Sequence, residues 1–283
     1  MIFLALRILF NTAFAQLLKL AQVRDGHMLP AACVNYIVAA LLGGLSLFLF
    51  QTHAPKPLSV WLGLATGLTY ALSLLGLEIA VRTSGISIAV AILQLAVLVP
   101  TVLSMILFRE RPDPLQSLGM IVAVPALWLL TGSRTIAGGP RVPSRGAVVT
   151  LLLLFLITGC SGVIMKTFEV YCPPGDRLAY ATALFTVSAL VIGLAVVRKQ
   201  VQWGPLAWPI GSLVGVCNLL QLEVTLMALA VLPAIVVFPA SSALTVVISA
   251  LLSVWFWQER LNTRSLVGMA LAICAAILLN GHG

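Results

Sequence analysis

The sequence predicts an all-α integral membrane protein with ten transmembrane helices, arranged as two inverted five-helix repeats. The first observation is composition: of 283 residues, 61% are apolar, 8% are charged, and the mean hydropathy is +1.11, which is typical of a chain that folds in lipid. The second is that ten apolar stretches each approach the roughly 20 residues that a helix needs to cross a bilayer. The third is an internal repeat, which divides these stretches into two sets of five.

The apolar stretches predict helices and not barrel strands. Segments 147–157 and 267–279 are apolar without the alternation that a membrane strand requires. The first stretch carries Arg7 and Lys19 and lacks the small-residue pattern of a cleavage site, so it is expected to be a retained helix. The predicted spans are 1–22, 29–50, 58–82, 84–108, 114–132, 146–168, 177–197, 205–229, 233–257 and 264–280.

An internal duplication relates the two halves of the chain. Segment 86–132 overlays segment 235–281 without a gap, and 15 of the 47 aligned pairs are identical. The shared residues include Glu110/Glu259, Arg111/Arg260, Gly119/Gly268 and Met120/Met269. Chance matches in an apolar chain would fall mainly on Leu, Ala and Val, so these pairs indicate a repeat. Because five crossings end on the opposite side, the second half must insert upside down, as in the inverted repeats of secondary transporters.

The boundary between the halves is the longest polar stretch in the chain, Thr131 to Gly146, which is rich in Gly, Pro, Ser and Arg. This composition predicts an extramembrane linker. The predicted organisation is a first five-helix repeat over 1–132, a linker over 133–145 and a second five-helix repeat over 146–283. The five cysteines are scattered through apolar spans, so we expect core residues and no metal site. No cofactor is expected.

The net charge of +8 and the pI of about 9.7 come from basic residues near the ends of the spans. Anionic lipid headgroups are a sufficient partner for such charges. Membrane lipids and a small-molecule substrate are therefore the expected partners, without nucleic acid, and the protein is expected to be a monomer or homodimer. Four loop basic residues fall on the side of the termini and nine on the other, which favours termini outside.

Two lysines inside predicted spans are candidate substrate-binding residues. An ionisable group in lipid is costly in free energy, so its presence in a span indicates a function. Lys19 lies late in the first span and Lys166 late in the sixth, at nearly equivalent places in the two halves. If they face a cavity, each could hold a carboxylate or phosphate as a point charge. The alternative is a snorkelling side chain whose ammonium group reaches the lipid headgroups.

Glu78 and Glu223 are the candidates for proton coupling, and Glu223 is also a candidate substrate-binding residue. When the repeats are overlaid, the two lie about one helical turn apart. Glu223 is the deeper of the two, and a low dielectric disfavours the charged form of a carboxylate. The alternative is a static ion pair; the sequence favours this pair for Glu78 through Arg82 at i+4, and a cavity-facing role for Glu223.

Uncharged polar side chains at membrane depth either line a substrate site or hydrogen bond between helices. The candidates for the substrate site are Asn11, Gln16, Tyr36, Gln94, Asn218, Ser241 and Ser242, and Asn35 and Gln221 belong to the same class. The glycine pairs Gly63-x-x-x-Gly67 and Gly211-x-x-x-Gly215 are predicted to allow close helix packing. Hinge candidates are Pro100, Pro125, Pro233 and Pro239.

A pair of motifs marks the fourth and ninth spans. Leu107-Phe108-Arg109-Glu110-Arg111 is followed by Gly119, and Phe256-Trp257-Gln258-Glu259-Arg260 is followed by Gly268. With its duplicated ten-span pattern, the chain resembles the EamA-type branch of the drug/metabolite transporter superfamily. The resemblance implies a central cavity formed mainly by spans one, three, four, six, eight and nine, and both termini in the cytoplasm. That orientation disagrees with the charge count.

The same motifs also suggest which residues are structural. Glu110 and Glu259 lie at boundaries between helix and loop beside arginines, so they are expected, with Gly119 and Gly268, to fix helix ends and packing. The chain departs from the family at Arg109 and Gln258, where the family has a glycine, and at Ser249, where a second proline is expected. A basic residue often found early in the second helix of the family is also absent near Asn35 and Tyr36.

These observations together predict transmembrane transport of a small organic metabolite or drug-like solute by alternating access. An amino-acid-like or small anionic substrate and proton coupling are expected, in the inner membrane of a bacterium. A channel or lipid flippase is the alternative, because the same helices could build either. A membrane-embedded enzyme is remote, since the three histidines lie outside the predicted spans and no spacing resembles metal ligation.

Overall fold

The computed structural model describes residues 2–25, 28–51, 53–84, 86–132, 145–257 and 263–280. Across these ranges the secondary structure is helical and includes no strand, which confirms the all-α fold class. The helices are α1 Ile2–Asp25, α2 Met28–Phe50, α3 Pro57–Ser84, α4 Ile86–Leu95, α5 Leu98–Leu107, α6 Pro114–Gly132, α7 Arg145–Tyr171, α8 Arg177–Lys199, α9 Ala207–Val231, α10 Ala234–Trp257 and α11 Thr263–Asn280. A short 3₁₀ turn, Pro174–Asp176, precedes α8.

The helices follow the order that the duplication predicts. Helices α1, α2 and α3 correspond to α7, α8 and α9, the pair α4 and α5 corresponds to α10, and α6 corresponds to α11. Five segments of the described chain are long and apolar enough to cross a membrane: Leu29–Phe50, Pro57–Ser84, Gly146–Tyr171, Pro174–Lys199 and Ala207–Val231. The linker predicted over 133–145 lies outside the described residues, apart from its last residue at the start of α7.

The predicted fourth span is divided in the structure into α4 and α5. Ala96 and Val97 form a turn between the two helices, and the Ala96 carbonyl accepts the N–H of Val99 at 3.1 Å. Pro100 explains the break, because it has no N–H to donate to the Ala96 carbonyl and its ring crowds that carbonyl.

The other three hinge candidates behave differently. Pro125 and Pro239 lie inside the helices α6 and α10. Pro233 immediately precedes α10, and its carbonyl accepts the N–H groups of Val236 and Val237. Pro233 therefore starts a helix, which is the position that suits proline best.

The chain forms two compact units, and each combines segments from both halves of the sequence. The first unit comprises Met1–Ala71 and Ile164–Val231, and the second comprises Leu72–Val163 and Leu232–Gly283. In the first unit α9 packs against α1 and α2, and α2 also packs against α8; in the second, α6 packs along α11 while α10 contacts α5, α6 and α11.

In the first unit, two glycines of α3 allow a close approach to α8. A Cβ atom added at Gly63 would lie 2.5 Å from the carbonyl oxygen of Tyr180. A Cβ atom at Gly67 would collide with the carbonyl group of Leu184. Any larger residue at these positions would therefore push the two helices apart, as the packing role of this glycine pair predicts.

The equivalent glycines of α9 make the equivalent contact with α2. A Cβ atom at Gly211 would lie 2.7 Å from the carbonyl oxygen of Ala31, and one at Gly215 would lie 2.7 Å from that of Asn35. Since α3 corresponds to α9 and α8 to α2, one helix contact occurs twice in related copies. The duplication read from the sequence is thus also present in the packing of this unit.

The second unit uses glycines in the same way. Gly119 of α6 lies against α11, where an added Cβ atom would be 2.9 Å from Cγ of Leu279 and 3.1 Å from the Ala275 carbonyl oxygen. Gly162 of α7 packs against α5, with an added Cβ atom 2.9 Å from Cγ of Pro100. The broken fourth span is therefore held tightly by a neighbouring helix.

Candidate functional site

The first unit contains a network of buried and partly buried ionisable side chains. Arg7 of α1 is 9% exposed and Lys166 of α7 is 8% exposed. Glu169 of α7, Arg177 of α8 and Glu223 of α9 complete the charged members. Charges buried in this way are expensive unless they are paired or serve a ligand.

Glu169 and Arg177 form a two-bond ion pair. The Arg177 Nε donates to Oε1 of Glu169 and its Nη2 donates to Oε2, both at 2.9 Å. The side chains are 15% exposed for Arg177 and 4% for Glu169. This fork geometry uses both carboxylate oxygens and fixes the direction of the guanidinium plane.

The turn between α7 and α8 places these two residues opposite each other. Asp176, which immediately precedes Arg177, is fully buried and accepts a hydrogen bond from the Lys56 N–H at 2.9 Å and one from the Ser59 hydroxyl at 2.6 Å. His53 Nε2 lies 3.0 Å from the other oxygen of Asp176. The connection between α2 and α3 therefore anchors the turn, and with it the start of α8.

Glu223 lies beside this ion pair. It interacts favourably with Arg177 and unfavourably with Glu169, and among the described residues its buried Oε1 has no hydrogen-bond partner. Glu223 precedes the end of α9 by eight residues, or about 12 Å along the helix axis. An acceptor atom buried without a donor is uncommon, and it marks a place where a proton or a ligand donor would be stabilised.

Tyrosines connect Arg7 to the acidic members of the network. Tyr70 interacts electrostatically with Arg7, and its hydroxyl lies 3.8 Å from Sδ of Met165. Tyr180 interacts with both Tyr70 and Glu169, and its hydroxyl lies 2.7 Å from Oγ1 of Thr66. Polar groups thus follow one another from α1 through α3, α8 and α7 to α9.

Several predicted residues belong to the same unit. Lys166 precedes Glu169 by three positions and shares its helix face. Tyr36 is buried and interacts with Tyr70, while Asn11 and Gln16 of α1 are partly buried. The side chain of Lys19 lies outside the described residues.

Asn218 forms a hydrogen bond between helices, which is the alternative to lining a substrate site that the sequence left open. Its side-chain amide donates to Oδ1 of Asn35 at 3.1 Å, so the pair joins α9 to α2 where both residues are buried. A hydrogen bond between helices in an apolar environment holds them at one separation. Gln221, one turn further along α9, has a buried Oε1 without a hydrogen-bond partner among the described residues.

The second unit holds the remaining predicted residues. Arg82 donates to Glu78 at 2.7 Å, which is the i+4 pair that the sequence favours for Glu78. Gln94 and Ser242 are partly buried. The Ser241 hydroxyl donates to the carbonyl of Val237 in its own helix at 2.5 Å.

The motif glutamate Glu110 lies at a helix end in the second unit. Its two carboxylate oxygens accept the N–H groups of Ala234 and Ile235, at 3.0 Å and 3.1 Å. The first N–H groups of a helix have no carbonyl partner within that helix, and the helix dipole there also favours a negative charge. Gly268 is buried in α11, and Glu259 lies outside the described residues.

Arg109 has the left-handed backbone conformation that turns the chain towards this contact. Its φ angle is 53°, and the N–H of the next residue, Glu110, donates to the Ser104 carbonyl at 3.4 Å. Glycine adopts this conformation without strain. The structure thus gives a physical reason for the glycine that the EamA-type pattern has at this position.

Sequence reasoning missed three members of the network: Arg7, Glu169 and Arg177. Arg7 was placed inside a span but not counted among the candidates, although a guanidinium cannot lose its charge. Glu169 follows the sixth predicted span by one residue, and Arg177 is the first residue of the seventh. Their spacing of eight residues across a Pro-Pro-Gly turn is the signal that could have paired them.

Comparisons with known proteins agree with this architecture. Residues 145–281 match the model of the EamA-like transporter family. No curated protein sequence matches the chain. Among solved structures 29 chains are similar; one of them, named only as the crystal structure of a protein, has a TM-score of 0.79 and 16% identity, over 98% of this chain and 94% of that chain. At that identity the likeness shows the fold alone.

Proposed function

We propose that the chain, whose residues 145–281 match the model of the EamA-like transporter family, is a transporter of the drug/metabolite transporter superfamily and carries a small organic solute by alternating access. The two inverted repeats support this mechanism, because related halves can exchange conformations and so open one site to either side in turn. The proposal extends to the inner membrane of a bacterium as its location.

An amino-acid-like solute fits the charged network of the first unit best. A zwitterion needs a cationic group for its carboxylate and an acidic group for its ammonium. Arg7 and Lys166 supply the first, and Glu223 supplies the second. Both groups of the solute would then exchange water for a charge-assisted hydrogen bond, which offsets much of the cost of entering a low dielectric.

This proposal depends on a single observation, the environment of the Glu223 carboxylate. Its Oε1 is buried with no donor among the described residues, and Arg177 is already bound by a different carboxylate. In the absence of solute, a proton is the simplest cation to satisfy that oxygen. Competition between a proton and a solute ammonium group at one carboxylate would couple transport to pH.

A thermal-shift screen of amino acids and other metabolites on the purified protein is the first test. A solute that binds the folded state raises the unfolding temperature by mass action. We expect L-amino acids to stabilise the protein, and a response only to inorganic anions would contradict the zwitterion proposal.

Transport in proteoliposomes is the second test, with a radiolabelled L-amino acid that passes the screen. A carrier shows counterflow, so unlabelled amino acid inside the vesicles accelerates uptake of label. Continuous conductance would instead indicate a channel, and movement of labelled lipid would indicate a flippase.

The variant Glu223→Gln tests the acidic residue. We expect it to abolish the pH dependence of uptake while the protein still folds, because the amide cannot bind or release a proton. The matched control is Asp113→Asn, which makes the same chemical change at an exposed loop residue and should leave the pH profile unchanged. A Glu223→Gln profile identical to wild type would remove this residue from the mechanism.

A further inference from the structure

Glu169 and Arg177 form a two-bond ion pair, and both residues interact electrostatically with Glu223. We propose that Glu169 is a positioning residue: it holds the Arg177 guanidinium in a two-bond pair, and so keeps Glu223 available to a proton or an ammonium group. The inference rests on the proposed role of Glu223 in transport, and it assigns a function to two residues that the sequence did not single out.

The geometry of Arg177 carries the first step. Its Nε and Nη2 both donate to Glu169 at 2.9 Å, so the edge of the guanidinium formed by these two nitrogens cannot bind another carboxylate without losing a hydrogen bond. Arg177 nonetheless interacts electrostatically with Glu223. One arginine therefore interacts with two carboxylates and is hydrogen bonded to Glu169.

Charge gives the second step. With Glu223 ionised, the three side chains of Glu169, Arg177 and Glu223 together carry one uncompensated negative charge. Oε1 of Glu223 has no donor among the residues that the structure describes. A proton or an ammonium group brings the charge of the group to zero. If Glu169 were absent, the charge of Arg177 would compensate that of Glu223, and Glu223 would bind a proton or an ammonium group less strongly.

The surroundings of Glu223 define what else can influence it. Helices α1 and α2 pack against α9 and contribute Arg7, Cys33 and Tyr36 as described titratable groups, while α8 contributes Arg177. Lys166 and Glu169 come from α7. Arg177 and Glu169 are the groups that interact with Glu223 directly, so changing either should alter its protonation.

Infrared difference spectroscopy of the purified full-length protein tests the inference without a known substrate. The carboxylic C=O band of protonated Glu223 is the band that Glu223→Gln removes, and its growth is followed as the pH is lowered. Glu169→Gln leaves the Arg177 charge uncompensated beside Glu223, which favours the ionised form. The pH midpoint of the band should therefore fall by about one unit or more.

The opposite charge change should give the opposite shift. Arg177→Gln removes the cation and leaves Glu169 as a repelling neighbour, so the midpoint should rise by a similar amount. A structural role would not produce two shifts of opposite sign. If Arg177→Gln fails to fold, the double variant Glu169→Gln/Arg177→Gln replaces it, with a midpoint expected above that of Glu169→Gln alone. Asp113→Asn is the control, with an unchanged midpoint.

The outcomes separate this inference from the proposed function. A Glu223 band whose midpoint ignores Glu169→Gln, or moves in the same direction in both variants, overturns the positioning role and leaves the transport proposal standing. A protein in which Glu223→Gln removes no titrating band overturns the coupling role of Glu223, and the positioning role with it.

Discussion

At the scale of single residues, Arg109 shows how a departure from a family pattern can be read physically. The φ angle of 53° places a side chain with a Cβ atom in the left-handed region, where such residues are disfavoured by about 1–2 kcal/mol. The chain tolerates this because the turn delivers Glu110 to the start of α10.

Replacing Arg109 by glycine should therefore stabilise the protein. We expect Arg109→Gly to raise the free energy of unfolding by about 0.5–1 kcal/mol, the strain relieved less the extra entropy of an unfolded glycine. Thermal unfolding in detergent measures the effect. The control Arg111→Gly removes the same side chain where no positive φ is found, and it should give no gain; equal gains in both would contradict the strain argument.

The carboxylate of Glu110 should stabilise the start of α10 by a measurable amount of free energy. Glu110→Gln keeps the size of the side chain but loses its charge and one of the two acceptor oxygens that bind Ala234 and Ile235. We expect a loss of about 1 kcal/mol in the free energy of unfolding. Asp113→Asn, an exposed carboxylate in the same loop, should cost less than half as much in the same thermal assay.

The candidate site was only partly predictable at this scale. Lys166 and Glu223 could be found because a charge within an apolar run is conspicuous in a sequence. For the Glu169–Arg177 pair the sequence offers only the spacing of eight residues across a turn, because each residue lies at the end of a span, where a charge normally meets water and headgroups. Their pairing depends on the turn anchored by Asp176, which is a tertiary contact.

At the scale of helices, hydropathy predicted where the spans lie because lipid imposes a long apolar run on each one. It did not predict that the fourth span divides at Ala96 and Val97. A proline in a membrane helix often only bends it, and whether the freed carbonyl finds another donor depends on neighbouring helices. In this structure the neighbouring helix is α7, whose Gly159 and Gly162 lie against Val99 and Pro100.

The contact between α3 and α8 gives a test of helix packing. An alanine at Gly67 would drive its Cβ atom into the backbone of Leu184, and backbone cannot move aside as a side chain can. We expect Gly67→Ala to lower the free energy of unfolding by about 1–3 kcal/mol, measured as a lower thermal midpoint in detergent.

Gly44→Ala is the matched control for that substitution. It makes the same change in α2, where the added Cβ atom would lie 3.8 Å from the nearest neighbouring side chain, an ordinary contact. Its effect should be neutral or stabilising by up to about 1 kcal/mol, because alanine favours helix more than glycine does. Equal losses in the two variants would show that Gly67 is not a special point of contact.

At the scale of the whole molecule, the number of crossings decides which loops can meet. The connection between α2 and α3 contacts the turn between α7 and α8 through Asp176. Four spans separate these two loops, since α4 and α5 together make one, and an even number returns the chain to the same face. The same holds for Glu110 and the start of α10, which are separated by α6, α7, α8 and α9. Both contacts are consistent with five spans per half.

Cysteine labelling from the two sides of the membrane tests that count. Lys56 lies between α2 and α3, and Gln202 lies between α8 and α9, with five spans between them. In a background from which the five native cysteines are removed, Lys56→Cys and Gln202→Cys should react with an impermeant maleimide from opposite faces. Because five is odd, this result is required if the second half is inverted relative to the first. Labelling of both from the same face would mean an even number of crossings, and the two copies would then be parallel and unable to exchange inward-open and outward-open forms.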